Sequence, residues 1–345
     1  MKGNFFLGAD KEQKFEMREM NFGPLGPHDV MVKNMSCGIC GTDVHIYHGG
    51  EGSATVTPPV VLGHEFSGIV EAVGSEVSVV KPGDHITCDP NKYCGLCRPC
   101  RMGKKQNCEH LYAVGVNANG GFAEYSVFDE GQCFKINDDV DFDVAAMTEP
   151  LACVIHGIDL ANIQPGQNVA VIGTGATGFL MMQMAKIEGA AKVIMCATSD
   201  EKCKMALELG ADYAINSKKE NLVEKIKEYT GSDGVDVAIE CVGKIPAVEQ
   251  AFDIAGLGCK ILIFSVPDPG AKVELDLFSL FKKELCITGS IINPATHQRA
   301  VNIINSGKVK IKPLITHTFP LTGVEDAIKM QMSKESIKVV VHPQE

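Results

Sequence analysis

Over roughly the first 150 residues the apolar positions come in short runs broken by glycine and proline: VVLGHEFSGIVEAVGSEV, then KPGDHITCDP, then GGFAEYSVF. Alternation of that kind predicts antiparallel β-structure. After about Pro150 the texture changes. The segments NVAVIG, KVIMCA, VDVAIECVG and CKILIFS are apolar at nearly every position, as strands buried on both faces of a parallel sheet must be. Helical patterns separate them, over Gly178–Glu188 and over Asp200–Leu209, the latter bounded by the start signal Thr198-Ser199-Asp200 and the stop signal Gly210. Beyond about Asn293 one more helical pattern, Thr296–Ser306, precedes a final strand, Ile337–His342. There is no internal repeat and no low-complexity segment.

Composition narrows the class. A chain of 345 residues with 45% hydrophobic and 22% charged residues has room for two domains and is far from a disordered composition. The formal charge of −11 argues against binding a phosphate backbone, so no nucleic-acid partner is expected. The opening MKGNFFLGADKEQKF lacks the apolar run of a signal peptide, and no uninterrupted apolar stretch of spanning length occurs, so the expectation is a cytoplasmic protein without a membrane segment. Fourteen cysteines in a reducing compartment point to metal rather than to disulfides.

In VAVIGTGATG the residues Gly173, Gly175 and Gly178 form a G-x-G-x-x-G that follows an apolar strand and opens a helix. Small residues there let backbone N–H groups approach a pyrophosphate at the positive end of the helix, which predicts dinucleotide binding. The same fingerprint expects an acid about twenty residues on, to hold the adenosine ribose of NAD. In AKVIMCATSDEK that place is Ala197, followed by Thr198 and Ser199. Asp200 reads instead as the start of the next helix. The missing acid and the small hydroxyls lean toward NADP, with NAD as the alternative.

YCGLCRPCRMGKKQNCEH places Cys94, Cys97, Cys100 and Cys108 at C-x₂-C-x₂-C-x₇-C. Four thiolates satisfy a closed tetrahedral zinc site. An iron–sulfur run would end C-x₃-C-P, whereas the last spacing here is seven and Glu109 follows. Lys92, Arg98, Arg101, Lys104 and Lys105 surround the cluster against Asp89 and Glu109, a balance suited to an anionic zinc–thiolate centre. A basic zinc lobe can also touch nucleic acid, but this one has no interleaved aromatics and sits in an acidic chain.

MSCGICGTDVH carries Cys37 and Cys40 at the spacing of a redox C-x-x-C, yet without the βαβ context that motif needs. His64 and Glu65 of VLGHEF supply the nitrogen and carboxylate that a catalytic zinc would use beside one cysteine, with a position left open for substrate.

CGICGTDVH, GHE, the four-cysteine lobe, EPLACVIHG and GTGATG occur in that order, and with them essentially the whole chain resembles the zinc-dependent medium-chain dehydrogenases, the superfamily of alcohol, polyol and threonine dehydrogenases. The resemblance implies an α/β fold. A GroES-like, β-rich catalytic domain would span 1–150 and 293–345, and a Rossmann cofactor-binding domain 151–292, with the catalytic zinc in the cleft between them. It implies two zinc ions per chain. Cys40 and His64 become ligands of the catalytic zinc, and Glu65 and Glu149 become carboxylates that bind the metal or its water, with the choice of direct ligand open. On the same comparison Cys37 is a packing residue, Asp43 orients His64, and Thr42 and His45 form the proton relay. Seven further histidines, His48, His85, His110, His156, His297, His317 and His342, lack partners at ligand spacing and read as surface or satisfied core positions.

The implied reaction is hydride transfer between an alcohol and the nicotinamide, with zinc lowering the pKa of the hydroxyl and the proton leaving through Thr42 and the cofactor ribose toward His45. GTDVHIY and GVNANGGFAEY resemble threonine dehydrogenases, whereas EPLACVIHGID and GSIINPATHQRA resemble bacterial polyol dehydrogenases. A polyol or sugar alcohol is the favoured substrate, and an L-threonine 3-dehydrogenase-like enzyme is the alternative. The Arg-Tyr pair of sorbitol dehydrogenases falls on Ile292 and Asn293, which counts against sorbitol; Asn293 and Tyr47 are the candidate substrate contacts. A zinc- and nucleotide-binding protein without catalysis is the reading from another class. Bacterial relatives suggest a homotetramer or homodimer, joined near Leu285–Ser290.

Overall fold

The computed structural model describes all 345 residues, and the chain divides into two compact units, Met1–Ala152 with Ile292–Glu345, and Cys153–Ile291. The architecture is the expected mixed α/β one, a β-rich unit plus a unit built on a six-stranded parallel sheet.

The first unit is organised by the ten-residue strand Asp29–Gly38, whose burial alternates along most of its length. It pairs antiparallel with Glu65–Val73 on one side. On the other side its first half meets Tyr125–Asp129 and its last two residues meet Lys338–His342. His85–Cys88 and Cys133–Lys135 extend the sheet one way, and Ile315–Pro320, parallel to Lys338–His342, extends it the other. Phe6, Phe66, Phe122 and Phe128 fill the core, with Cys37 fully buried among them. The expected final strand is therefore central to the fold, which explains its run of buried valines, Val339–Val341.

The second unit has six parallel strands side by side: Tyr213–Asn216, Lys192–Ala197, Asn168–Ile172, Val235–Glu240, Ala255–Ile263 and Cys286–Gly289. The order reverses between Asn168–Ile172 and Val235–Glu240, the topological switch point where such sheets bind ligands. The helix after the Gly-rich turn is Ala176–Ile187, beginning two residues before the expected start because Gly175 is already an extended N-cap. The helix Asp200–Leu209 has the expected bounds, capped by Ser199 and ended by Gly210 in the left-handed conformation. Met181, Met182 and Met184 are buried packing residues. Phe142–Ala161 is helical and apolar enough to cross a membrane by length and composition, although no uninterrupted apolar run marks it; most of it is buried, as in a core helix.

A buried polar cluster ties the C-terminal segment back to the first unit. Asp89 Oδ1 accepts from the Asn91 backbone N–H at 3.0 Å and from Asn293 Nδ2 at 3.3 Å, while Asn91 Nδ2 donates to Asn293 Oδ1 at 2.7 Å. Burial raises the Asp89 carboxyl to about 6, against the lowering effect of those bonds. A folded-state pKa above the unfolded value means that the native state holds a proton the unfolded state has lost, so stability falls as pH rises from about 4 to about 6. Asp89→Asn is therefore expected to be more stable than the parent at pH 8, by on the order of 2 kcal/mol, with the difference vanishing below pH 4. Denaturant melts at the two pH values check it; a variant less stable at pH 8 contradicts the assignment.

Candidate metal centres and nucleotide turn

In the register of the central sheet Gly38 stands opposite Glu65. His64 is one residue before Glu65 and Cys40 two residues after Gly38, so the pairing sets the thiol, the imidazole and the carboxylate side by side. One donor atom from each of Cys40, His64 and Glu65 lies within 4.8 Å of the others. His64 is 6% and Glu65 1% exposed. Gly38 is required here: a Cβ at this position would collide with the Glu65 carboxylate and lie 2.8 Å from Lys338 Cε.

The donors are short of partners. His64 Nδ1, Asp43 Oδ1 and Glu65 Oε2 are buried without an aligned hydrogen bond. Asp43, fully buried, accepts from the Cys40 backbone N–H through Oδ2 at 2.8 Å and leaves Oδ1 3.8 Å from His64 Nδ1. Burial by itself would push the His64 imidazolium down, but Cys40, Asp43 and Glu149 outweigh it and hold it well above its ordinary value. Burial likewise raises the Asp43 carboxyl, opposed by His64. The pocket is thus rich in soft and borderline donors and holds more acidic groups than its one buried lysine, Lys338, can match, which fits a zinc ion bound through Cys40, His64 and carboxylate. Glu149, on the helix Thr148–Ala161, is 5% exposed and close enough to act electrostatically on His64, though it stands outside the tightest cluster. Thr42 and His45 lie one turn apart on the helix Gly41–Tyr47, which Cys40 caps.

The cysteine lobe is closed at its base by a two-residue ladder, Asn91–Lys92 against Tyr112–Ala113. Inside it Cys94 Sγ lies 4.0 Å from Cys100 Sγ, and Cys97 Sγ 3.9 Å from Cys108 Sγ. Backbone N–H groups of Cys97, Cys94 and His110 point at the sulfurs at 3.4 Å. The N–H of Cys97 leads in lowering the Cys94 thiol to about 6, whereas burial raises Cys100 to about 12. Leu96 and Met102 face outward, 73% and 56% exposed, so the lobe has little core of its own. Four convergent sulfurs with N–H donors behind them fit a structural zinc that takes the place of that core.

At the nucleotide turn the three glycines do different things. Gly173 has φ +114°, a conformation that disfavours any side chain. A Cβ on Gly178 would strike the Gly173 carbonyl, so this glycine permits close strand–helix packing. A Cβ on Gly175 would meet nothing within 4 Å, leaving open space at the helix N-terminus where a pyrophosphate sits in such folds. Ala197 is buried at the end of its strand, with Thr198 exposed beside it and Ser199 Oγ accepting from the Lys202 N–H. Asp200 is occupied by Asn216 Nδ2 at 2.7 Å and by Lys219, and so takes no ribose role.

Two expected contacts are corrected. Tyr47 is buried, stacks on Phe15 and donates to Glu325 Oε1 at 3.0 Å, because its helix packs that face against the core. Asn293 is fully enclosed by Asp89 and Asn91. Neither side chain is free for a substrate. Among the histidines, His297 is buried with an orphan Nδ1 and only a 3.4 Å contact to Thr87, so it is not the satisfied core residue expected; burial lowers it to about 3.

Three residues escape sequence reasoning. Lys338, 4% exposed, donates from Nζ to Ile39 O at 3.0 Å and lies in ion contact with Glu65; burial opposes its charge, but Glu65, Cys40 and Glu149 hold it above its ordinary value. A lysine heading a run of three buried valines is the signal that could have found it. Glu240 ends its strand at the switch point, where Oε1 accepts from Gly243 N–H at 2.8 Å and Oε2 meets Ser265 Oγ. Lys218 lies two residues past Asn216, the register partner of Ala197.

Residues 26–138 match the alcohol dehydrogenase GroES-like domain and residues 176–306 the zinc-binding dehydrogenase domain. The chain is 34% identical to a sorbitol dehydrogenase of Halalkalibacterium halodurans over 324 residues, 92% of each chain. It is 33% identical to an L-threonine 3-dehydrogenase of Bacillus licheniformis over 319 residues, again 92% of each. A zinc-binding dehydrogenase from Sinorhizobium meliloti 1021, solved bound to NADP, superimposes with a TM-score of 0.93 at 37% identity, covering 99% of this chain and all of that one.

Proposed function

We propose, for a chain that belongs to the zinc-dependent medium-chain alcohol and polyol dehydrogenase family, that its reaction transfers hydride between a secondary alcohol of the polyol or sugar-alcohol class and NADP. What supports this most directly is the convergence of Cys40, His64 and Glu65 within 4.8 Å, beside the helix that carries Thr42 and His45. A zinc ion bound there supplies Lewis-acid polarisation of the substrate hydroxyl. Cys40 and His64, with Glu65 or Glu149, would hold the metal, and Asp43, 3.8 Å from His64 Nδ1, would orient the ring for it. Thr42 would accept the hydroxyl proton while giving up its own, and the relay would continue through the cofactor ribose toward His45, one turn along the same helix. Cys94, Cys97, Cys100 and Cys108 hold a second, structural zinc.

The polyol class is favoured by the segments EPLACVIHGID and GSIINPATHQRA. Threonine oxidation is the second reading, favoured by the L-threonine 3-dehydrogenase relative. NADP is favoured by Ala197, whose place holds no carboxylate to repel a 2′-phosphate, by the Thr198 and Ser199 hydroxyls, and by the cation of Lys218 on the neighbouring strand end. The structural relative solved with NADP supports the same choice.

A second copy of this chain is the proposed partner of the sheet edge at Cys286–Gly289. This edge is exposed, and the adjoining helix Leu277–Lys282 buries none of its residues, with Phe278 68% and Phe281 80% exposed. An open strand edge beside apolar side chains is self-complementary across a two-fold axis.

On an alcohol, polyol and threonine panel run with both cofactors, the zinc-loaded protein should reduce NADP⁺ with a vicinal diol or sugar alcohol. Cys40→Ser should lower zinc from about two to about one per chain and cut turnover by at least about a hundredfold while NADP binding persists; silence across the panel refutes the reaction. Ala197→Asp should shift the kcat/KM ratio from NADP⁺ toward NAD⁺ by about tenfold or more, and an unmoved ratio removes this strand end from cofactor selection. Light scattering should give a multiple of 37.0 kDa, reduced by Ile287→Lys with Phe281→Glu; a parent already at 37.0 kDa rules the contact out.

A further inference from the structure

Lys338 has no part in the proton or metal chemistry described above, yet it is buried against the same centre. Its ammonium meets Glu65 and the Ile39 carbonyl, and the electrostatic influence of Cys40 and Glu149 also reaches it. An ammonium in such a place is costly unless anions surround it. The protein makes the room deliberately: Gly38, facing both Glu65 and Lys338, has no side chain to separate them. The register of Lys338–His342 against the end of Asp29–Gly38 then sets the lysine beside the carboxylate.

We infer that Lys338 is a positioning residue that serves as a permanent counter-cation of the Cys40–His64–Glu65 centre, holding Glu65 in place before metal binds and limiting how tightly the metal is held afterwards. This rests on the reading of that centre as a metal site. Two consequences follow from Coulomb's law. In the metal-free protein Lys338 is a fixed cation, beside the His64 ring, among the thiol and the buried carboxylates of Asp43, Glu65 and Glu149, so its charge resists their mutual repulsion. In the metal-loaded protein the same charge repels the ion and draws on the Glu65 lone pairs. A residue that only packed the sheet would do neither.

The experiment compares Lys338→Met, similar in length and uncharged, with Lys338→Arg, which keeps the charge, using full-length protein and zinc alone as the probe. Competition with a chromophoric chelator should show the non-lobe zinc bound about tenfold or more tighter in Lys338→Met, and within a few-fold of the parent in Lys338→Arg. Thermal melts should show Lys338→Met lowered chiefly in the metal-free form, so that the shift produced by zinc widens. If Lys338→Met does not fold without metal, Lys338→Met/Glu65→Gln, which removes both members of the pair, should recover the metal-free fold. Unchanged or weaker zinc binding in Lys338→Met, an unwidened thermal shift, or a double variant no better than the single overturns the inference. A parent that binds only the zinc of the cysteine lobe overturns this inference together with the metal-site reading, whereas two zinc ions bound with unaltered affinity in Lys338→Met overturns the role of Lys338 alone.

Discussion

The antiparallel pairing of Gly38 with Glu65 is the constraint on which the candidate metal site depends. Successive side chains of a strand face opposite ways, so a slip of one residue would turn Glu65, the first residue of its strand, from the pocket into the opposite face and shift His64, just before the strand, out of place. The register is held by the buried alternation of Asp29–Gly38 and by contact with three other strands, among them the chain's last. It also needs glycine at position 38, because the Glu65 carboxylate and the Lys338 stem fill the space a side chain would take. Cys40 then leads into a short helix whose first turn is fastened by Asp43, the carboxylate that also faces His64. One backbone pairing thus positions soft donor, imidazole, carboxylate, the residue that orients the ring, and a buried counter-cation.

The cysteine lobe rests on a different physics. Its four sulfurs fall within fifteen residues, and a two-residue ladder is enough to close the chain around them. With Leu96 and Met102 turned to solvent it has little apolar surface to bury, so bonds to a metal are the available source of order. The sheet-built centre has the opposite balance. Phe66 and Phe122 pack beside it, Cys37 included, and the polar groups are inserted into a core that would hold the strands together without them. This is why Cys37 and Cys40, three residues apart, have unlike surroundings: one faces the core of the strand, the other caps a helix.

In the second unit, the proposed discrimination at the adenosine ribose rests on which strand ends adjoin. Parallel pairing of Lys192–Ala197 with Tyr213–Asn216 sets Ser217 against the Ala197 carbonyl and carries Lys218 to the same end of the sheet. Asp200, the nearest acid in sequence, is drawn away by Asn216 and Lys219. Glu240 orders the turn on the other side of the switch point by accepting from Gly243, and that turn packs on Gly173. The phosphate turn is therefore supported from the strand across the reversal, a link no local motif announces.

What the sequence by itself determined were the features written in short-range spacing: the β-rich and α/β textures, the glycine turn, the four-cysteine lobe, the missing acid at Ala197, and the helix Asp200–Leu209 with both of its caps. Each is set by residues a few positions apart, so local propensity and ligand geometry suffice to read it. The tertiary structure alone decided what depends on distant segments. It joined Lys338 to Glu65 across some 270 residues, enclosed Asn293 with Asn91 and Asp89, turned Tyr47 toward Glu325, and left His297 with an unpaired nitrogen. A buried polar side chain is defined by its partners, and when these arrive from other strands only the register of the sheet can say which they are.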